Sequence, residues 1–404
     1  MSEDHRRTDV LIVDGLRTPR AAVRGGTGVL ATVPPTQLLV TLLAALQRRI
    51  GFDPNWVEHA VVGCVTQLGE QGGNIACRAV LATGWSSAIT AETLNRFCAS
   101  GLAAVSSLAA GIRGGEVNIG VAGGVESMSR VAMGSDRSPP AAGLDDEPVP
   151  TGVAADVLAA ANGVTRDELD QYAVTTQSRA ALASGNGYLP RSLVTITGPD
   201  GSVLIDHDNA IRPGTSRDAL AVLAPAFAAA HGPQVLRRAR LRWPQLRDAP
   251  PVHTAGTSPA MADGAGMLLL ASRAAADRHG LAARARIVAT ASAAVDSVAG
   301  PAAAIEAARA ALARAGLSSG QLDLVECHEA FAVTPILLAR ELALPPGRLN
   351  VSGGTIALGH PMGACGAILT ITLLDELDRR GGRYGLVAVS GAAGMGAAAV
   401  LERI

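Results

Sequence analysis

Short apolar segments rich in β-branched residues alternate along most of this chain with longer segments that are apolar at helical spacing. Residues 10–13 and 59–63 are typical of buried strands, and residues 36–50, followed by Gly51, are typical of a helix. Strands that alternate with helices usually form a parallel sheet covered by helices on both faces. The alternation therefore predicts an α/β fold with a parallel sheet.

The alternation pauses between residues 129 and 252, where Pro139-Pro140, the acidic residues 145–147 and a polar helical segment at 166–185 occur. We interpret this region as an inserted loop domain. The predicted division is residues 1–128 for the first part of an N-terminal half and 129–252 for the loop domain. Residues 253–273 then supply a return strand that completes this half, and residues 274–404 form a C-terminal half.

Two Arg-Gly-Gly motifs indicate that the halves are duplicated. Residues 113–115 and 380–382 each end a long helical segment of small residues and precede a strand that leads into Gly and Ala. The same shift along the chain places Ser390 opposite Gly123 and Cys365 opposite Cys98. This order predicts two copies of a βαβ-rich unit, with a site between them where strand ends converge.

Composition excludes several classes of protein. At 404 residues the chain exceeds the usual size of one domain, and its net charge of −1 gives no indication of a nucleic-acid partner. Five cysteines without close spacing predict neither a disulfide framework nor a metal site, and reduced thiols favour a cytoplasmic location. We also expect no signal peptide and no apolar segment long enough to span a membrane.

Cys98 is the candidate nucleophile. It lies in residues 95–102 at the start of a predicted helix, where unpaired N–H groups and the helix dipole favour a thiolate. A lone cysteine there is more often a small buried residue, but two histidines support a chemical role. His328 ends a strand, and His360 follows three glycines just before a helix. Cysteine and histidine are a known pair in nucleophilic acyl chemistry.

Several segments, in this order and from near residue 10 to the C-terminus, resemble the thiolase family, whose enzymes make or cleave a carbon–carbon bond between acyl groups on coenzyme A. The matching segments are residues 63–70, 95–102, 123–129, 328–331, 353–363 and 389–396, with 206–213, 224–227 and 254–256 in the loop domain. The resemblance implies a five-layer α-β-α-β-α fold, a homodimer or homotetramer, and a coenzyme A thioester as substrate with no permanently bound cofactor.

The resemblance also implies residue roles. Cys98 matches the acyl-accepting nucleophile and His360 the base that activates it. His328 matches a residue that holds the thioester oxygen in one oxyanion hole, and the backbone N–H groups of Cys98 and Ala392 would form the other. Residues Thr257, Ser258 and Pro259 fall in the region that binds the pantetheine part of coenzyme A.

The chain departs from the family at Ser390, where the family has a cysteine that moves a proton on the attacking or leaving carbon. A hydroxyl is a much weaker acid than a thiol, so we expect the Claisen step to be slowed by about 10²–10⁴ while acylation of Cys98 survives. Methyl groups of Ala392 and Ala393 replace glycine hydrogens beside the oxyanion hole. Further departures are Thr257-Ser-Pro-Ala260, Thr151, Ser352 and a long segment after Phe227.

That long segment contains an arginine-rich run at residues 237–247, which is a solvated helix or loop, or else a site for an anion or a partner.

Three functions stay open from the sequence. The first is a thiolase acting on acyl-CoA or 3-ketoacyl-CoA, with Ser390 or a water taking the proton. The second is an acyltransferase that passes the Cys98 acyl group to another acceptor without Claisen chemistry. The third is a non-catalytic thiolase-like scaffold.

Overall fold

A ten-stranded mixed sheet runs through the computed structural model, which describes residues 9–136 and 148–404. The Pro139-Pro140 pair and acidic residues 145–147 lie outside the described residues. The strands are β1 (Val10–Arg17), β2 (Ala21–Ala22), β3 (His59–Gly63), β4 (Thr90–Leu94), β5 (Ile119–Glu126), β8 (Ala262–Ser272), β9 (Ala285–Ala294), β10 (Leu324–Cys327), β11 (Tyr384–Ser390) and β12 (Met395–Arg403). A separate two-stranded sheet is formed by β6 (Ile196–Thr197) and β7 (Val203–Ile205).

The sheet contains the same arrangement twice, which confirms the predicted duplication. One half has the order β4-β3-β5-β8-β1 and the other has β10-β11-β12-β9, and an antiparallel pairing of β1 with β9 joins them. In the second half Leu349 forms a parallel bridge to Val325 of β10, in the place that β4 occupies beside β3. Short β2 lies off this path and pairs with β8.

The prediction of a parallel sheet is wrong for much of the sheet. Pairing is parallel between β3 and β4, β3 and β5, and β10 and β11, whereas β8, β9, β12 and β1 pair antiparallel with their neighbours. Four residues connect β11 to β12, and a connection this short allows a hairpin but no crossover helix. The last two strands of the chain are therefore antiparallel.

Helices form three layers around the two halves of the sheet. The helices are α1 (Pro35–Ile50), α2 (Ile75–Ala82), α3 (Ser100–Gly114), α4 (Thr151–Ala161), α5 (Arg166–Gly185), α6 (Arg217–Ala221), α7 (Pro233–Arg242), α8 (Arg273–His279), α9 (Ala303–Ala315), α10 (Val333–Glu341), α11 (Thr355–Leu358) and α12 (Cys365–Arg380). Buried side chains of α1 and α2 pack on one half of the sheet, and those of α9 and α10 pack on the other. Helices α3 and α12 share a third cluster with both halves, which gives the five layers.

Helices α3 and α12 approach each other so closely that glycine is required on both. A Cβ atom on Gly101 would lie 2.7 Å from the carbonyl oxygen of Gly363, and one on Gly366 would lie 2.5 Å from the backbone nitrogen of Leu102. Both contacts are at the N-terminal ends of the helices. The contact therefore holds the turn before α3, which contains Cys98, beside the turn before α12, which follows His360.

The region between β5 and β8 contributes no strand to the large sheet within its described residues, and instead contains α4 to α7 and the small β6-β7 sheet. The exact boundaries 129 and 252 stay predictions. A buried ion pair ties the region to β1, because Nη1 and Nη2 of Arg17 donate to the two carboxylate oxygens of Asp208, at 2.8 and 2.9 Å.

The arginine-rich run forms α7 and the turn that follows it. Val235 and Ala239 are the buried side of this helix, while Leu241 is 85% exposed. Arg240 donates to the backbone oxygens of Leu246 and Arg247, and so closes the turn after the helix. At least one arginine of the run thus stabilises the local fold.

Residues Phe97–Gly114 are long and apolar enough to cross a membrane by length and composition, with a mean hydropathy of 1.2. This differs from the expectation from sequence. Such a segment is weak evidence for a span, because core helices pass the same test, and more than half of this one is buried within the protein.

Candidate active site

Cys98 lies in a tight turn that side chains on both sides hold in place. Asn95 Oδ1 accepts a hydrogen bond from the backbone nitrogen of Phe97 at 2.8 Å, and Asn95 Nδ2 donates to the Val65 oxygen at 2.9 Å. Ser100 Oγ donates to the Phe97 oxygen at 2.5 Å and accepts from the Arg96 nitrogen at 2.8 Å. These bonds hold Phe97 at a φ of 50° and fix the thiol just before α3.

The glycine loop after β11 packs directly on this turn. A Cβ atom on Gly391 would lie 2.8 Å from the Arg96 oxygen and 3.5 Å from the Cys98 nitrogen, so only glycine allows the contact. The next residues form a 3₁₀ turn, Ala392–Gly394, in which Ala393 has a φ of 55°. A left-handed conformation is costly for alanine, so the backbone at Ala393 is strained.

The Cys98 thiol is neutral in the resting protein. Burial, and secondly the charge of Glu126, raise its pKa to about 12, although hydrogen bonding from the backbone N–H groups of Cys98 and Ala392 acts in the opposite direction. The two N–H groups predicted to form an oxyanion hole thus both favour the thiolate form of Cys98. Attack by Cys98 requires a base that removes its proton as the new bond forms.

His328 is fully buried where β10 ends, beside Ser390 at the end of β11. Its Nδ1 lies 2.9 Å from the backbone oxygen of Ser390, and because a carbonyl only accepts, Nδ1 carries the hydrogen. Burial lowers the pKa of the ring to about 4, so His328 is neutral at neutral pH. Its Nε2 then presents a lone pair and has no partner among the described residues.

His360 stacks on His328, with ring centroids 4.3 Å apart and planes inclined by 32°. Its backbone nitrogen donates to the Ala260 oxygen at 2.9 Å, and neither ring nitrogen has a hydrogen-bond partner among the described residues. Burial and the neighbouring His328 ring hold the pKa of His360 well below its usual range. A neutral imidazole with a free lone pair is the form that accepts a proton.

The structure brings the predicted catalytic residues together from four parts of the chain. Cys98 packs against Met362, two residues after His360, and Gly391 contacts the Cys98 turn. Ser390 is 1% exposed, with its Oγ unpartnered, and its carbonyl anchors His328. The site therefore takes residues from both halves and lies at the N-terminal ends of α3 and α12, where these two helices are in contact.

The predicted coenzyme A residues lie in the segment that leads to His360. Thr257 is buried, and its Oγ1 accepts from the Thr254 nitrogen at 2.8 Å, while Ser258 Oγ donates to the Thr254 oxygen at 2.8 Å. Ser258 and Pro259 are partly exposed. The hydroxyl of Thr257 is thus part of a turn, and the role of Thr257, Ser258 and Pro259 in binding coenzyme A stays a prediction.

Comparisons with known proteins identify the family. The family model described as "Thiolase, N-terminal domain" matches residues 10–234, and "Thiolase, C-terminal domain" matches residues 281–403. Human peroxisomal 3-ketoacyl-CoA thiolase is 36% identical to this chain, covering 98% of it and 91% of the human protein. The chain belongs to the thiolase family. It is therefore an acyltransferase enzyme, as the sequence predicted.

Two bacterial relatives match this thiolase over nearly their full length. The 3-ketoacyl-CoA thiolase of Alcanivorax borkumensis is 35% identical, with 98% of each chain covered. The β-ketoadipyl-CoA thiolase of Pseudomonas aeruginosa is 34% identical, with 98% of this chain and 99% of the relative covered.

Glu126 is a positioning residue that sequence reasoning missed in this thiolase. It is fully buried at the end of β5 and accepts hydrogen bonds from the nitrogens of Val65, Thr66 and Gly363 at 3.0–3.2 Å. Gln71 Nε2 donates a fourth hydrogen bond to this carboxyl group at 2.9 Å. Burial raises the pKa of Glu126. The carboxyl group thereby joins the loop that Asn95 contacts to the turn after His360. Its sequence signals are a charge in an apolar strand and a place within the matching segment 123–129.

Glu329 has a similar position next to His328. Its Oε1 accepts from the hydroxyls of Tyr172 and Thr176 at 2.7 and 2.9 Å and from Asn350 Nδ2 at 2.8 Å. Its Oε2 accepts from the Ile356 nitrogen at 2.8 Å. Tyr172 and Thr176 belong to α5, so Glu329 connects the loop region to the strand end that supplies His328.

Proposed function

We propose that this thiolase forms or cleaves a 3-ketoacyl-CoA through an acyl group carried on Cys98, with Ser390 in the acid/base position. One observation carries the proposal. His328 and His360 are neutral, their rings lie 4.3 Å apart, and three of their four ring nitrogens have no hydrogen-bond partner among the described residues, in the site where Gly391 contacts the Cys98 turn.

In the first half of the reaction, His360 accepts the proton of Cys98 as the sulfur attacks the thioester carbonyl carbon. The carbon–oxygen double bond opens to an oxyanion, which preorganised donors stabilise. When the carbonyl re-forms, the carbon–sulfur bond to coenzyme A breaks, and the coenzyme A thiolate takes the proton from His360. Cys98 is left as a thioester.

His328 contributes to this step through a water. With Nδ1–H on the Ser390 carbonyl, the neutral ring accepts at Nε2, and a water donating to Nε2 has a second hydrogen for the thioester oxygen. This arrangement preserves the predicted oxyanion role of His328 without requiring a charged ring.

In the second half, a carbon acid must lose a proton before it attacks the acyl-Cys98 carbonyl. Ser390 Oγ lies buried at the end of β11 without a partner, and either this hydroxyl or a water takes the proton. A serine hydroxyl is poorly matched to proton transfer near neutral pH, so this half of the cycle is the slower one.

The substrate, assembly and location follow as parts of the same proposal. The substrate is an acyl-CoA or 3-ketoacyl-CoA, as the names of the relatives suggest, and no cofactor is bound permanently. The assembly is a homodimer or homotetramer. Strand β4 lies at an open edge of the large sheet, just before the Cys98 turn. The backbone groups on its outer side have no neighbouring strand among the described residues, and pairing with a second copy of the chain would satisfy them, which supports this assembly. The location is the cytoplasm, consistent with five free cysteines.

The substitution at Ser390 and the strained Ala393 favour a second candidate function. In it, Cys98 is acylated in the same way but passes the acyl group to a phenolic or amine acceptor that needs no carbon acid. The third candidate, a non-catalytic scaffold, has no need of Cys98, His328 and His360 in one site.

Intact-mass measurement after incubation with acetyl-CoA tests the proposal. We expect wild type to gain one acetyl group, Cys98→Ala to gain none, and Cys77→Ala, which changes a cysteine in the first turn of α2, to behave as wild type. Absence of an adduct with a range of acyl-CoAs would favour the scaffold, and full activity of Cys98→Ala would exclude the assigned nucleophile. Products from acetyl-CoA alone, compared with a panel of phenols and amines, separate the first two functions.

A further inference from the structure

Cys365, the first residue of α12, lies beside the two active-site histidines. The ligand atoms of His328, His360 and Cys365 all lie within 4.8 Å of one another. Cys365 is 1% exposed and His328 is fully buried. The acyl-transfer chemistry described above assigns no role to Cys365. Spacing along the chain predicted no metal site, but these three residues meet only in the folded protein.

The histidine nitrogens in this cluster are available as ligands. Nε2 of His328 and both ring nitrogens of His360 have no hydrogen-bond partner among the described residues. Nδ1 of His328 donates to the Ser390 carbonyl, which leaves a fixed lone pair on Nε2. A histidine whose second nitrogen donates to a backbone carbonyl is the usual form of a metal-bound histidine, because that bond sets both the tautomer and the ring orientation.

We propose that His328, His360 and Cys365 form a binding site for a thiophilic divalent cation, with Zn²⁺ as the reference ion. Two imidazole nitrogens and one thiolate are ligands that Zn²⁺ prefers, and three protein ligands leave a fourth position open. Bonds of about 2.0–2.3 Å in a tetrahedron place the ligand atoms about 3.3–3.8 Å apart, so small side-chain rotations complete the site. The Cys365 thiol loses its proton to solvent when the zinc–sulfur bond forms.

A bound cation inhibits the enzyme, and this consequence rests on the proposed function. The ion occupies the lone pair of His360 that accepts the proton of Cys98, and the lone pair of His328 that orients a water. Acylation of Cys98 therefore stops while the metal is bound and resumes when a chelator removes it.

Co²⁺ titration of the full-length, metal-free protein tests binding without any need for activity. We expect one equivalent to bind, with the absorption bands of a tetrahedral cobalt–thiolate site, and we expect Zn²⁺ to displace it. Cys365→Ser and Cys365→Ala should lose these bands and at least about a hundredfold in Zn²⁺ affinity, measured by competition with a chromophoric chelator. Circular dichroism confirms that the variants are folded.

Cys98→Ser and Cys77→Ser are the matched controls, and both should keep the cobalt–thiolate bands. The site would be refuted if wild type showed no such bands, or if Cys98→Ser lost them while Cys365→Ser kept them. In the second case the metal would be held by the nucleophile.

The inhibitory role is tested by measuring the acetylation rate of Cys98 with and without Zn²⁺. We expect Zn²⁺ to stop acetylation of wild type, with recovery after addition of EDTA, and to leave Cys365→Ser at its own metal-free rate. Binding without inhibition would overturn the inhibitory role. Failure of metal-free wild type to be acetylated would instead overturn the proposed function, and the cobalt result would be unaffected.

Discussion

Nδ1 of His328 lies 2.9 Å from the backbone oxygen of Ser390. Ser390, which we propose for the acid/base position, therefore anchors His328 through its main chain and not its side chain. A substitution at position 390 can change the proton-transfer group and leave this anchor in place.

Ser390→Cys should accelerate the Claisen step and leave acylation of Cys98 unchanged. A thiol is a far stronger acid than a hydroxyl, so we expect thiolysis of acetoacetyl-CoA to increase by about 10²–10⁴. Single-turnover acetylation, followed by intact mass, serves as the internal control. An unchanged thiolysis rate would show that another group carries the proton.

Alkylation of Cys98 should increase with pH without a plateau in the neutral range. Because burial raises the pKa of the thiol to about 12, the thiolate fraction grows about tenfold per pH unit below that value. Iodoacetamide inactivation from about pH 7 to about pH 10, in a Cys77→Ala background, measures this dependence. A plateau near neutral pH would instead indicate a resting thiolate–imidazolium pair.

Gly391→Ala should slow acylation of Cys98 by about a hundredfold, since small displacements of reacting groups are this costly. Its Cβ would lie 2.8 Å from the Arg96 oxygen, so the loop and the Cys98 turn must separate. Gly300→Ala is the matched control, because its Cβ would have no neighbour closer than 3.8 Å. Equal single-turnover acetylation rates in the two variants would contradict the contact.

Ala393→Gly should stabilise the protein by about 1 kcal/mol, because glycine has no penalty at a left-handed backbone conformation. Ala393 has φ 55° and ψ 24°. Ala302→Gly is the control. Ala302 has φ −66° and ψ −15°, a right-handed conformation that alanine adopts without strain, so this substitution should destabilise the protein. Urea unfolding measures both, and a loss of stability in Ala393→Gly would disprove the strain.

Asp208→Asn should lower the free energy of unfolding by about 3–5 kcal/mol, because it leaves the buried guanidinium groups of Arg17 and Arg20 without a counterion. Burial opposes ionisation of Asp208, but Arg17 and Arg20 hold its pKa below the usual range. Its contribution is thus present at neutral pH and is lost as the pH falls through that lowered pKa.

Asp206→Asn is the control for this pair. Asp206 is exposed and contacts His207, so we expect no measurable change in urea unfolding. Similar effects of the two substitutions would show that the buried pair does not anchor the loop region.

Much of the architecture could be predicted from local sequence patterns. The apolar period and Gly51 predicted the helix found at Pro35–Ile50, where Gly51 has a φ of 76°, and the two Arg-Gly-Gly motifs predicted the duplicated halves. Strand direction was not predictable in the same way. An apolar strand reads the same in either direction. The four residues between β11 and β12 indicate an antiparallel pair, but the antiparallel pairing of β1 with β8 and β9, which are distant in sequence, is fixed only in the folded protein.

The motifs around Cys98, His328 and His360 predicted by themselves the candidate catalytic residues and the family, and the comparisons confirm the family. The tertiary structure decided the protonation state of these groups and which of their atoms are free to bind. The tautomer of His328 depends on the Ser390 carbonyl, the resting state of Cys98 depends on its burial beside Glu126, and Cys365 acquires significance only because α12 begins next to both histidines. Protonation and coordination depend on burial and on atoms a few ångströms away, and residues distant in sequence supply those atoms.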